Sequence, residues 1–170
     1  IDAAAREIDE ALRLTEAWAH LEDGRFGQAL QSVYGIDPNS PRNSEVHTLC
    51  ARAFRQSGQP KRAHAALTKA IAATPNEHML RLEMAWLELD IGQTEAALET
   101  ALSVLSALPD DAPGIARDSV DHALWLIAAH NRDTTVIDAA VQRLRERNPG
   151  DPRLDEWQAD AQQILDARAN

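Results

Sequence analysis

The sequence predicts an all-α fold, a solenoid of antiparallel helix hairpins closed by a C-terminal capping helix. Two observations lead to this prediction, the composition of the chain and an internal repeat. The 170 residues include 31 alanines but only seven aromatic side chains. Alanine is the strongest helix former, whereas β-rich proteins depend on β-branched and aromatic residues. A chain of this composition is expected to build its core from many closely packed helices.

The internal repeat has a period of 34 residues, which separates Gly24, Gly58 and Gly92. Glycine accepts the positive φ of a helix C-cap, and a proline ends the second helix of each repeat. Each repeat is therefore predicted to be two helices joined at the glycine. The same step relates five further columns: Ala29, Ala63 and Ala97; Leu12, Val46 and Leu80; Val33, Leu67 and Ala101; Ile36, Ala70 and Val104; Pro41, Pro75 and Pro109.

A fourth, degenerate repeat follows if its first loop is six residues longer, through an insertion that includes 110–114, with Pro149 in the proline column. Arg132 then replaces the turn glycine. We expect Asn131 to accept left-handed geometry and Asp133 to N-cap the next helix. The predicted repeats span about 10–43, 44–77, 78–111 and 118–151, followed by a capping helix at about 152–168, all within a single domain spanning 1–170.

Gly24, Phe26 and Ala29, together with the closing proline, resemble the signature of the tetratricopeptide repeat family. The resemblance covers about residues 10–150 as three clear repeats and one degenerate repeat. It implies a right-handed superhelix in which the first helices of the hairpins line a concave groove. It also implies a non-catalytic protein-interaction scaffold that binds a peptide or partner segment in that groove.

The resemblance assigns the groove to particular residues of the first helices. Trp18, Arg52 and Trp86 share one column, and tryptophan and arginine dominate binding hot spots. The alternative is that the tryptophans fill space between helices while Arg52 stacks on them as a cation. The residues in the groove columns are Leu14, Trp18, Leu21, Thr48, Arg52, Arg55, Met79, Leu82, Glu83, Trp86, Leu89, His122, Leu126, Ala129 and His130.

No catalytic constellation is visible in the sequence, and no two histidines have the spacing that puts them on one helical face. Asp118 and His122 are one helical turn apart and could share a metal or form an acid/base pair, but an ordinary surface pair is the simpler interpretation. Cys50 replaces an apolar core residue, so we expect a buried, inert thiol. The sequence predicts no enzyme activity, no metal and no cofactor.

The charge of the chain narrows the class of partner. The formal net charge is −10, which disfavours nucleic acid and anionic membrane surfaces as partners. No apolar run approaches the roughly 18 to 20 residues that span a bilayer. The second repeat is basic, which suits either its acidic neighbouring repeats or an acidic group of a ligand. Over 41–75 the charged residues are Arg42, Arg52, Arg55, Lys61, Arg62 and Lys69 against Glu45.

Two other functions remain open at this point. The chain could be a substrate- or polymer-positioning domain of a larger bacterial enzyme or export system. It could also be a self-association module that pairs through 110–114 or through an exposed end, so a homo-oligomer is possible. Because the sequence starts at Ile1 without methionine, we expect a soluble segment of a larger protein, with the cytoplasm and the periplasm both open as compartments.

Overall fold

The computed structural model describes residues 3–167, which form nine helices and no strand. The predicted all-α helical-repeat solenoid is confirmed. The helices are α1 (Ala3–Glu22), α2 (Phe26–Val33), α3 (Asn43–Gln56), α4 (Pro60–Ala73), α5 (His78–Asp90), α6 (Thr94–Ala107), α7 (Gly114–Asn131), α8 (Thr134–Arg147) and α9 (Arg153–Ala167).

Three of the helix hairpins turn at the glycines of the repeat. Gly24, Gly58 and Gly92 have φ angles of 72°, 72° and 82°, the left-handed region in which a side chain is strained. At the first turn the amide of Gly24 donates to the carbonyl three residues earlier (3.0 Å), and the amide of Arg25 donates to the carbonyl five residues earlier (2.8 Å). The other two turns repeat this pair of bonds. The pattern is the Schellman motif, which satisfies the last carbonyls of the first helix.

The fourth hairpin makes the same turn without a glycine. Arg132 itself adopts the left-handed conformation (φ 58°, ψ 29°), so the prediction that Asn131 would do so is wrong. Asn131 instead ends α7 and donates through Nδ2 to the carbonyl of Thr94 (2.8 Å). Asp133 is the N-cap of α8, as predicted, and accepts from the amide of Val136 (3.1 Å).

Helix α2 has only eight residues and ends well before Pro41. Gly35, at φ 84°, turns the chain away from the helix axis at this point. A side chain of α1 closes the helix end: Arg13 donates through Nε to the carbonyl of Ser32 (2.9 Å) and through Nη2 to that of Tyr34. In the first repeat the second helix is therefore ended by a glycine and an arginine, and not by the proline.

Two boundaries differ slightly from those read in the sequence. Helix α7 begins at Gly114, so the last residue of the predicted insertion 110–114 is helical. The capping helix α9 begins at Arg153, and its predicted end at position 168 lies outside the described residues.

The chain forms two compact units that divide within α5, between Glu83 and Met84. We call them the N-terminal unit and the C-terminal unit. In the C-terminal unit, α7 packs against α6, α8 and α9, and buries Trp125. The predicted single domain stays a prediction. The core of the N-terminal unit is formed by Leu14, Ala17, Leu21, Ala29, Val33, Leu49 and Ala53.

Candidate functional site

In the N-terminal unit, the predicted groove residues Trp18 and Arg52 lie together over a buried carboxylate. Glu83 is 1% exposed, and its Oε1 accepts a hydrogen bond from Nε of Arg52 (2.8 Å). Arg55 Nε lies 3.8 Å from Oε2 of the same carboxylate. The guanidinium of Arg52 lies 5.1 Å from the ring centroid of Trp18, whose Nε1 donates to Glu45 (3.1 Å).

These contacts engage Arg52 within its own unit. A buried carboxylate is stable only when cations and hydrogen bonds compensate for the lost water. Arg52 meets that need for Glu83, and its other side covers the Trp18 ring. The geometry therefore favours the packing interpretation of Trp18 and Arg52 over a role in recognising an acidic ligand.

The C-terminal unit buries a second carboxylate, Asp121, which is also 1% exposed. It accepts hydrogen bonds from Nε of Arg143 (2.8 Å) and from Nη2 of Arg147 (2.5 Å). Arg147 Nε and Asn148 Nδ2 in turn donate to the two oxygens of Asp118 (2.8 and 2.9 Å). The carboxylate of Asp118 thus holds α7 against the end of α8, which leaves no basis for the acid/base or metal pair with the histidine one turn later.

That histidine belongs to an aromatic cluster. The ring of His122 stacks on Trp157, with centroids 3.9 Å apart and planes 15° apart, and Trp86 meets it edge-on at 6.1 Å. Trp125 contacts the edge of Trp157 at 6.3 Å, and the Arg153 guanidinium lies 5.7 Å from the same ring. Burial is the largest effect on the pKa of His122 and lowers it, which favours the neutral imidazole in this stack.

A pocket of about 450 Å³ opens beside the His122–Trp157 stack, in the C-terminal unit. Ile115, 79% exposed, stands at one side. Apolar and aromatic surface with a few polar groups is the usual lining of a ligand site. The pocket can therefore receive an apolar side chain and bind the polar atoms next to it. Its lining residues are Gly114, Ile115, Asp118, Ser119, His122, Leu144, Asn148, Asp151, Arg153, Leu154 and Trp157.

Six of the predicted groove residues are buried, so a partner cannot contact them in this structure. This corrects their assignment to an exposed groove for Leu14, Leu21, Thr48, Leu82, Glu83 and Ala129. The physical reason is that the first helix of a hairpin contacts other helices on more than one side. A sequence column assigned to the groove can therefore be buried between helices. Thr48 satisfies its hydroxyl within its own helix, by donating to the carbonyl of Ser44 (3.0 Å).

The other predicted residues are partly exposed, and the structure shows ring or cation contacts between some of them within each unit. The structure brings Trp18 together with Arg52, and Trp86 together with His122. The half-buried residues are Trp18, Arg52, Arg55 and Met79 in the N-terminal unit, and Trp86, Leu89, His122, Leu126 and His130 in the C-terminal unit.

Most of the residues that line the pocket are not among those predicted from the sequence. Ile115 and Ser119 precede His122 at the spacing that places all three on one face of α7, so the helical period would have indicated them. Trp157 and Arg153 belong to the capping helix, for which the sequence predicted no site residue. No sequence signal indicated that α9 would place these two side chains beside α7.

Burial raises the pKa of the Cys50 thiol to about 11, so this cysteine is a poor nucleophile. Within residues 3–167, no group of three or more histidine, cysteine, aspartate or glutamate side chains is placed to hold a metal ion. In the same part of the chain, no helix combines the length and apolarity needed to cross a bilayer.

Comparison with known proteins relates the chain to helical-repeat proteins. Residues 54–117 match the family model of the tetratricopeptide repeat. The structure of pilF from Pseudomonas aeruginosa superposes with a TM-score of 0.71 at 19% identity, covering 98% of this chain and 78% of that chain. A tetratricopeptide repeat protein from Parabacteroides merdae ATCC 43184 superposes with a TM-score of 0.62 at 16% identity, covering 92% of this chain and 60% of that chain. No curated protein matches the chain.

At such low identities the structural likenesses show the fold, and the matched segment shows the repeat type. Proteins of this family are in general protein-interaction scaffolds without catalytic activity. The repeat columns and the recurring glycine turns extend beyond the matched segment, and together with it they support tetratricopeptide-type repeats in this chain.

Proposed function

We propose that the chain is a non-catalytic scaffold that binds a peptide segment of a partner protein in the pocket beside His122 and Trp157. The observation that carries this proposal is the open pocket, with an exposed Ile115 on one side and the aromatic stack on the other. Of the predicted groove residues, His122 lines the pocket directly, while Trp86 supports it by its edge contact.

The lining determines the chemistry of the segment. Ile115, Leu154 and Trp157 offer apolar area to an apolar or aromatic anchor side chain of the partner. Asn148 and Ser119 already donate within the chain, so they offer side-chain oxygens as acceptors to the backbone amides of such a segment. An acidic residue opposite Arg52, which the sequence suggested, is not part of the proposal because Glu83 already engages that guanidinium.

Site-specific photo-crosslinking tests the proposal. A benzoylphenylalanine placed at Ile115 should crosslink a discrete segment of another protein in extracts of the source organism. The matched control is the same probe at Leu102, an exposed apolar residue of α6 in the same unit that does not line the pocket. The crosslinked segment, made as a synthetic peptide, should bind roughly tenfold more weakly to Ile115→Glu, and unchanged to Leu102→Glu.

The same experiment distinguishes the alternative functions. Crosslinks from Ile115 to another copy of this chain would indicate a self-association module. Capture of a polymer and no peptide would indicate a positioning domain. Identical partners from both probe positions, or peptide binding that Ile115→Glu leaves unchanged in a variant with an unaltered helical spectrum, would contradict peptide binding in the pocket.

A further inference from the structure

The repeat column that contains Leu12 is exposed in α1 and packed in the later repeats. Leu12 shares its column with Val46 and Leu80. Leu80 is fully buried and Val46 is half-buried, but Leu12 is 66% exposed. Ile8, one helical turn before Leu12, is 63% exposed. Helix α1 thus presents large apolar side chains at a position that later repeats use for packing.

These two residues are the centre of a longer apolar face. Ala5 and Ala19 are also exposed, and helical spacing places them on the same side of α1 as Ile8 and Leu12. We call these four residues the α1 stripe. From Ala5 to Ala19 the stripe extends over about 21 Å, roughly four helical turns. This length matches one face of a partner helix and exceeds what a single anchor side chain needs.

Half of the stripe has packed equivalents on α3. Val46 and Ala53 pack against the apolar core that α1 and α2 contribute to the N-terminal unit. In the 34-residue register, their counterparts on α1 are Leu12 and Ala19. These two positions therefore receive helices in the second repeat, and in α1 both are exposed.

The charges along the α1 stripe restrict the occupant. Asp9 and Glu16 are exposed and lie along one flank of the stripe. Arg13 donates through Nε and Nη2 to the carbonyls of Ser32 and Tyr34, and its Nη1 lies 3.9 Å from Asp9, while His20 Nε2 lies 3.5 Å from Glu16. The two acids stay 68% and 62% exposed, so these weak surface pairs leave both carboxylates accessible to a cation of a partner. An acidic flank repels an anionic lipid surface, and a second α1 would bring the same two acids. A helix with lysine or arginine beside its apolar face is complementary.

We propose that the α1 stripe is a docking site for an amphipathic helix of a partner protein, apolar on one face and basic on the adjoining flank. The site lies in the N-terminal unit and uses none of the residues of the pocket, so it does not depend on the function proposed above. It would give the scaffold a second, helix-binding surface.

Two synthetic helical peptides test the proposal. Both have about 15 residues, which matches the length of the stripe, and share one leucine face; one carries lysines on the flank and the other glutamates. Fluorescence anisotropy should show binding of the lysine peptide, with the glutamate peptide at least roughly tenfold weaker. Leu12→Glu should weaken the lysine peptide by roughly tenfold or more, and Ile8→Glu provides a second variant if the first is poorly folded.

Further variants identify the surface and the source of its selectivity. The double change Asp9→Lys and Glu16→Lys should reverse the preference, so that the glutamate peptide binds more tightly. Ile115→Glu, which alters the pocket, should leave binding of the lysine peptide unchanged, and Leu12→Glu should leave binding at the pocket unchanged. Failure of one site is thereby distinguishable from failure of the other.

Several results would overturn the proposal. These are absence of binding by the lysine peptide, equal affinity for both peptides, or an unchanged affinity in both Leu12→Glu and Ile8→Glu when circular dichroism shows native helix content. Sedimentation at increasing protein concentration tests whether a second copy of the chain occupies the stripe. Self-association of the chain that Leu12→Glu abolishes would assign the α1 stripe to a second copy instead of a partner helix.

Discussion

The two units bury a carboxylate in similar ways but use the neighbouring aromatic rings differently. Glu83 in the N-terminal unit and Asp121 in the C-terminal unit are each 1% exposed, and each contacts two arginines. In the N-terminal unit one of those arginines also covers Trp18. In the C-terminal unit Trp157 stacks on a histidine, and the arginines of Asp121 are not part of that cluster.

The difference shows that the contacts of a neighbouring arginine determine whether a tryptophan serves packing or lines a pocket. Where Arg52 is shared between a buried carboxylate and a ring, both side chains serve packing. Where aromatic rings contact one another, as at His122 and Trp157, a pocket with an aromatic wall is left beside them. Tryptophan and arginine in one sequence column are therefore insufficient to identify a binding surface.

The largest expected effect is on the carboxylate of the C-terminal unit. Asp121→Ala leaves Arg143 and Arg147 without their shared acceptor, and breaking a buried ion pair costs about 3 to 5 kcal/mol. Urea denaturation should show this loss in the free energy of unfolding. Asp138→Ala, at an exposed position on α8, is the matched control and should change it by less than about 0.5 kcal/mol. A loss below about 1 kcal/mol for Asp121→Ala would contradict the importance of this network.

The corresponding change in the N-terminal unit should cost less. Glu83→Ala removes the hydrogen-bonded contact to Arg52 and the longer contact to Arg55, and we expect a loss of about 2 to 3 kcal/mol. The measurement is again the free energy of unfolding, with Glu99→Ala on the exposed side of α6 as the control. If Glu83→Ala proved more damaging than Asp121→Ala, the ranking drawn from the number and length of the contacts would be wrong.

A smaller effect is expected at Trp18. Trp18→Phe keeps an aromatic ring under Arg52 but removes the Nε1 hydrogen bond to Glu45, which should cost about 1 kcal/mol. A double-mutant cycle with Glu45→Ala isolates this bond. The two losses should be non-additive, because each variant removes the same interaction. Strict additivity would show that the hydrogen bond contributes nothing to stability.

The smallest effect concerns pH. Burial lowers the pKa of His122, so the unfolded chain, whose imidazole has the ordinary pKa of about 6.5, binds this proton more readily than the folded chain. Stability should therefore fall as the pH is lowered through 6.5 and level off below the folded-state pKa. His122→Phe should make this dependence shallower between pH 7.5 and 5. Some dependence should remain, because burial and Lys69 also lower the pKa of His47. An unchanged pH profile would contradict the role given to His122.

Much of the fold could be predicted because the 34-residue repeat places glycine where the backbone must adopt a positive φ. The glycine column fixed three turns, since only glycine adopts positive φ there without strain. The fourth turn shows the limit of this inference. Arg132 occupies the glycine column and still adopts the left-handed conformation, held by the same pair of backbone hydrogen bonds.

The candidate site could be predicted less well, because a repeat column says which residues are equivalent and not which side of each helix is covered. Leu14 and Leu82 were read as groove residues but lie in the core. Conversely, Leu12 belongs to a packing column and is exposed. The pocket depends on how α9 brings Trp157 to His122, a contact between residues that belong to no common column.

The arginine that closes α2 has a consequence for how the first hairpin opens. Eight residues are too few for a helix to persist alone in water, so α2 depends on what α1 supplies. Arg13 donates hydrogen bonds to the carbonyls of Ser32 and Tyr34 at the C-terminal end of that helix. Fraying of α2 is thereby tied to loss of a contact with α1, and the amide protons of both helices should exchange with solvent as one cooperative group.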